Sequence, residues 1–157
     1  MKKTFLAILL LLPVFLQAQS PGFRYLSEKY AGAEGYTTIE LNGPMLRMMN
    51  PEAGDEGLST TLNNIKSMLL LVSEASNDSL RTDVKTMLDE IGYKRLCTSR
   101  NSEAQVEFYC NAADGDEPPS EYIMILYGSD GDVIMSLTGD IDLKQITSLS
   151  RLDMGAE

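Results

Sequence analysis

Gly139-Asp140-Ile141-Asp142 places two carboxylates two residues apart beside a glycine. Such a pair can act as general acid and base, or supply oxygens to a hard cation. Two acidic runs, Asp114-Gly115-Asp116-Glu117 and Ser129-Asp130-Gly131-Asp132, offer the second chemistry as well. Calcium takes roughly six to eight oxygens, and neither run has the ligand spacing of a helix-loop-helix calcium site. Both read as solvated acidic turns, and no metal ligand is assigned.

The chain contains no histidine. That removes the usual neutral-pH base, the serine and cysteine triads that depend on it, and the commonest metal ligand. No G-x-S-x-G, phosphate-loop or dinucleotide fingerprint is present. No catalytic residue and no cofactor is therefore assigned, and the expectation is a protein that is not an enzyme. An enzyme working through aspartates stands as the catalytic alternative.

Met45, Met48 and Met49 cluster in "PMLRMM". Thioethers fill irregular gaps in a core, form adaptable contact surfaces, or bind copper(I). Core filling on a short amphipathic helix is the first expectation, an interaction surface the second and copper the third. Asp78-Ser79-Leu80 matches a short pattern for O-glycosylation at Ser79, while Asn77 or Asp78 serves more simply as a helix N-cap.

Cys97 in "YKRLCTS" and Cys110 in "QVEFYCN" are the only cysteines. They fall on neighbouring strands around the turn "RNSE". A directly facing, non-hydrogen-bonded pair would let them bridge. Pairing Leu96 with Phe108 instead would put them on opposite faces. The sequence leaves a disulfide and two buried thiols equally open.

The elements that position these residues follow from pattern and punctuation. "MKKTFLAILLLLPVFLQAQS" has Lys2 and Lys3, an apolar run from Phe5 to Leu12 and a small-residue region at Ala18, the plan of a cleaved secretory signal over residues 1–18. Its apolar run is too short to span a bilayer, so no stable membrane anchor is expected after cleavage. A periplasmic or secreted address follows. Residues 19–35 form an arm or short helix, and residues 36–157 a single domain. The formal net charge of −10 disfavours nucleic-acid partners, because an acidic surface repels phosphate backbones.

"YTTIELN" (Tyr36 to Asn42) reads as a strand that Gly43-Pro44 breaks, with Pro44 opening the methionine helix. "NPEAGDEG" is an acidic loop suited to surface contact. Leu58, Leu62, Ile65 and Leu69 recur at helical spacing, whereas "MLLLVSEA" is continuously apolar. The reading is a helix from Leu58 to Lys66 followed by a central strand from Ser67 to Glu74, with one longer helix as the alternative. Leu80, Val84, Met87, Leu88 and Ile91 make the stripe of a helix that Gly92 ends. Strands follow at Tyr93 to Ser99, Gln105 to Asn111, Glu121 to Tyr127 and Asp132 to Leu137, then a C-terminal helix from Leu143 to Arg151. The fold class is α+β, a six-stranded, mainly antiparallel sheet with helices packed on it. In this frame Asp142 is a structural helix cap, with Gln145 three residues on. Asp140 has no assigned role.

"GYKRL", "YIMILYGSDGDVIMSLTGDIDLKQITSL" and, more weakly, "IELNGPMLRMM" resemble the exported bacterial family known as domain of unknown function 4252, typical of Bacteroides-type bacteria. The resemblance implies an exported α+β domain with no catalytic set to carry over, and a link to envelope or sigma-factor regulation. The functional expectation is a non-catalytic binding or interaction module of the cell envelope, with an unknown protein partner there. Its alternative among binding functions is a carrier of a small apolar ligand.

Overall fold

The computed structural model describes residues 22–49, 60, 63–111 and 119–141. The expected signal peptide, the 50–57 loop, the 114–117 run, the Asp142 cap and the C-terminal helix lie outside them. Six strands, β1 (Tyr36–Asn42), β2 (Ile65–Ser73), β3 (Tyr93–Arg100), β4 (Ala104–Asn111), β5 (Glu121–Gly128) and β6 (Asp132–Gly139), form one sheet in the order β1-β2-β6-β5-β4-β3. Every neighbouring pair is antiparallel. Helices α1 (Gly22–Tyr30), α2 (Gly43–Met48) and α3 (Asp78–Ile91) complete the α+β fold.

Alternation along the strands makes two cores. On one face Leu71, Ile123, Ile125 and Ile134 meet Leu80, Val84, Met87 and Leu88 of α3 and Phe23, Leu26 and Tyr30 of α1. Full burial of each aliphatic side chain contributes on the order of 1.5–3 kcal/mol. Within the segment read as an arm or short helix, Gly22–Tyr30 thus form a packed helix. On the other face Leu46, Ile65, Cys110, Tyr122, Leu137 and Ile141 form a second cluster, flanked by Leu41, Met68, Phe108 and Met135.

The ends of α3 follow from local chemistry. The Asn77 side chain accepts hydrogen bonds from the Ser79 and Leu80 amides at 2.9 and 3.1 Å. Gly92, at φ +80°, closes the helix with its amide on the Leu88 carbonyl. Ile91, expected in the buried stripe, is 36% exposed in the last turn.

Two further expectations change. The central strand begins at Ile65, inside the segment read as helix, and ends at Ser73; the single long helix is excluded. Ile65 faces Gly139 across a register shift, and a Cβ on Gly139 would stand 2.2 Å from the Asn64 carbonyl oxygen. A bare glycine lets the two chains approach closely enough for Ile65 to be buried in the second cluster. The disulfide is likewise not formed. A bulge at Leu96 pairs Cys97 with Phe108 and Lys94 with Cys110, so the cysteines do not face each other. Cys97 is an exposed thiol and Cys110 a buried one.

Candidate functional site

The Asp140 joint comes first because its spacing suggested chemistry. The Asp140 side chain is 88% exposed and lies 3.5 Å from the exposed Lys66 ammonium, a surface pair that contributes little. Its amide donates to the Asn64 carbonyl at 3.2 Å, and Tyr122 Oη donates to the Ile141 carbonyl at 3.0 Å. These bonds tie the segment after β6 to the residue that precedes β2 and to β5. Asp140 therefore sits on a structural joint, pointing to solvent.

The densest buried polar centre is elsewhere, at Asp132, and the sequence reading missed it by assigning that residue to an acidic turn. Asp132 is fully buried. Arg81 of α3 holds it through Nε–Oδ2 at 2.9 Å and Nη2–Oδ1 at 2.6 Å. Nη2 also donates to the Gly128 carbonyl at 3.1 Å, and the guanidinium lies 4.9 Å from the Tyr127 ring centre. The available signal was period-two spacing. Asp132, Ile134 and Ser136 share one strand face, and a carboxylate beside a buried isoleucine requires a cation from the covering helix.

Beyond Arg81 an open cleft of about 610 Å³ runs between α3 and the β3–β4 end of the sheet, walled by Lys85, Arg95, Glu107, Tyr109 and Tyr127. Glu107 accepts from Tyr109 Oη at 2.7 Å and Gln105 Nε2 at 2.5 Å. Burial and the bond to Glu107 push the Tyr109 phenol up to about 12, and burial raises Tyr127 further. Both phenols stay protonated at neutral pH. They offer ring faces and hydroxyl donors, not a base. Burial also raises the Cys110 thiol, which disfavours the thiolate form.

The methionines reverse the first expectation. α2 starts on Asn42, whose side chain accepts from the Met45 amide at 3.0 Å, and Pro44 occupies its first turn. Only Leu46 turns into the second cluster, at 4% exposure. Met45, Met48 and Met49 are 47%, 85% and 64% exposed, so they form surface and not core filling. Ile39 on the adjoining strand is a further exposed aliphatic, at 42%. Ser79, the residue singled out for glycosylation, is exposed in the first turn of α3.

The structure thus separates the residues that the sequence grouped as candidates. Met45 and Met48 share α2 with Met49 as its C-cap, Asp140 follows the end of β6, and the two cysteines occupy neighbouring strands without meeting. Among the described residues no three acidic or thiol groups gather at metal-binding distance. No helix among them is long and apolar enough to cross a membrane. Neither the curated proteins nor the solved structures include a match to this chain. The model of a domain of unknown function, DUF4252, matches residues 30–149, and on that span of strands, α3 and Gly-Asp-Ile-Asp joint the chain belongs to the DUF4252 family.

Proposed function

We propose that the protein is a non-catalytic, exported binding module of the bacterial cell envelope that engages a protein partner through α2 and the adjoining part of the sheet. One observation carries this reading: three thioether side chains, Met45 and Met48 on α2 and Met49 at its C-cap, are exposed, and Leu46 is the one side chain of that helix that is buried. Exposed methionines cost burial that a core would recover, and their flexible, polarizable side chains suit a contact surface that adapts to its partner. The apolar space between helices and sheet is filled by Leu71, Leu80, Val84, Ile123, Ile125 and Ile134, and the open cleft beyond Arg81 is walled largely by charged and phenolic side chains, which favours the interaction module over a carrier of an apolar cargo. Export rests on the charge, apolar and small-residue order of residues 1–18. A part in envelope or sigma-factor regulation rests on the family resemblance.

Site-specific photo-crosslinking in the producing cell tests this. A benzophenone amino acid at Met48 is expected to give a discrete adduct with another polypeptide. The same probe at Thr82, exposed on α3, is expected to give none. Equal labelling from both sites, or no adduct from position 48, would remove the basis for the proposal.

A further inference from the structure

The sheet has two edges, β1 and β3, and they are built differently. β3 is kinked by the bulge between Arg95 and Cys97 and carries Lys94, Arg95 and Arg100, all exposed. Bulges and edge cations are the usual means of keeping a strand from pairing with another chain. β1 has neither. Its seven residues run in unbroken register against β2, with no proline, no cation and Glu40 as the single charge. Among the described residues β2 is the only strand paired with it. The Tyr36 amide is taken by the Ala33 carbonyl at 3.2 Å, and beyond it no other described backbone group bonds to the outer side of the strand, so among these residues Thr38 and Glu40 are left to offer donors and acceptors there.

We infer that β1 is the seam of a two-fold dimer, in which β1 of one chain pairs antiparallel with β1 of a second copy. This goes beyond the α2 contact surface and names a second copy of the chain as the partner of the adjoining sheet edge. The occupant follows from self-complementarity, which a two-fold interface requires. Centred on Ile39, the pairing sets Ile39 against Ile39 of the second copy, Thr37 against Leu41, Thr38 against Glu40 and Tyr36 against Asn42. Glu40 meets a threonine and not its own copy, and it keeps its 2.7 Å ion pair with Arg24. Aliphatic and hydroxyl pairs of this kind stabilise a ladder, whereas like charges directly opposite oppose it.

The seam also extends an existing surface. Thr37, Ile39 and Leu41 lie opposite Val72, Leu70 and Met68 of β2. The apolar row on that face therefore continues from one sheet into the other. Antiparallel pairing brings the Asn42 end of one strand beside the Tyr36 end of the other, so each α2, with its exposed methionines, stands at an end of the seam.

Sedimentation equilibrium of the full exported chain over a concentration series tests the inference. The expected mass is that of two chains. Ile39→Lys sets two like charges face to face at the axis and is expected to raise the dissociation constant about tenfold or more. Thr38→Lys, placed opposite Glu40 of the second copy, is expected to keep the dimer, and Thr38→Glu to weaken it. Circular dichroism confirms that each variant is folded, and Thr38→Glu carries the test where Ile39→Lys does not fold. A single-chain mass at every concentration, or an Ile39→Lys dimer as tight as the parent, would overturn the seam. A single-chain mass together with a Met48 adduct to another polypeptide removes the seam and leaves the binding module. A dimer whose Met48 probe captures no other polypeptide does the reverse.

Discussion

Arg81 and Asp132 are joined by two hydrogen bonds, Nε–Oδ2 at 2.9 Å and Nη2–Oδ1 at 2.6 Å, with the carboxylate fully buried and the guanidinium side chain 32% exposed. The pair locks α3 to the start of β6. Its two halves differ in what is left when the other is removed.

Arg81→Met leaves Asp132 in the interior, with the Asn77 amide at 3.4 Å as its remaining donor. Breaking a buried pair by removing one partner costs about 3–5 kcal/mol, because the surviving charge stays desolvated. Asp132→Asn leaves a guanidinium that water already reaches, and the amide oxygen can still accept one of its two bonds while the amide NH2 faces the other donor. Urea unfolding is expected to show a clearly larger loss for Arg81→Met than for Asp132→Asn. Equal losses, or the opposite order, would contradict the burial asymmetry.

The tyrosines give the fold an alkaline limit. The Tyr109 phenol is raised to about 12, first by burial and then by its bond to Glu107; an unfolded phenol titrates near ~10. A group whose folded pKa is raised contributes stability that is complete below the unfolded value and lost as pH rises through the folded one. Stability is therefore expected to fall between about 10 and 12. Absorbance titration should show a late class of tyrosines, and Tyr109→Phe should reduce that class by one residue and flatten the loss. If all the tyrosines titrate together near the ordinary value in the folded protein, the Tyr109 environment is not as described.

Much of the frame was legible because local signals agreed. "YTTIELN" alternates β-branched and polar residues and meets Gly43-Pro44, and β1 spans Tyr36–Asn42 as read. Asn77 and Gly92 bracket α3 for reasons of hydrogen bonding and backbone conformation alone. The rest depended on distant partners. Ile65 fits a helical period with Leu58 and Leu62, and only its approach to Gly139, far along the chain, places it in β2. Asp132 resembles a turn residue until Arg81 is seen above it. Hydrophobicity alone turns the methionines inward, but a helix of six residues has one buried face, and Leu46 occupies it.

The two thiols are expected to behave differently. Cys97 is exposed and Cys110 buried. Folded protein should react quickly with a thiol reagent at one site, identified by peptide mapping as Cys97, and at both after denaturation without reductant. A thiol count of zero in the denatured chain would mean that the cysteines bridge and that the strand register differs from Cys97 against Phe108.

α2 provides a direct comparison between anchoring and display. Leu46 is 4% exposed and packs with Ile65, Tyr122 and Leu137, while Met48, two residues on, is 85% exposed. Leu46→Ala removes buried atoms and leaves a cavity, at a cost of about 2–5 kcal/mol. Met48→Gln removes no buried contact and should stay within ~0.5 kcal/mol of the parent. Function should split the other way. Met48→Gln is expected to abolish or weaken partner capture through α2 while the unfolding midpoint stays put. Should Met48→Gln destabilise the fold as much as Leu46→Ala, the methionine is packed against the protein and the contact surface lies elsewhere.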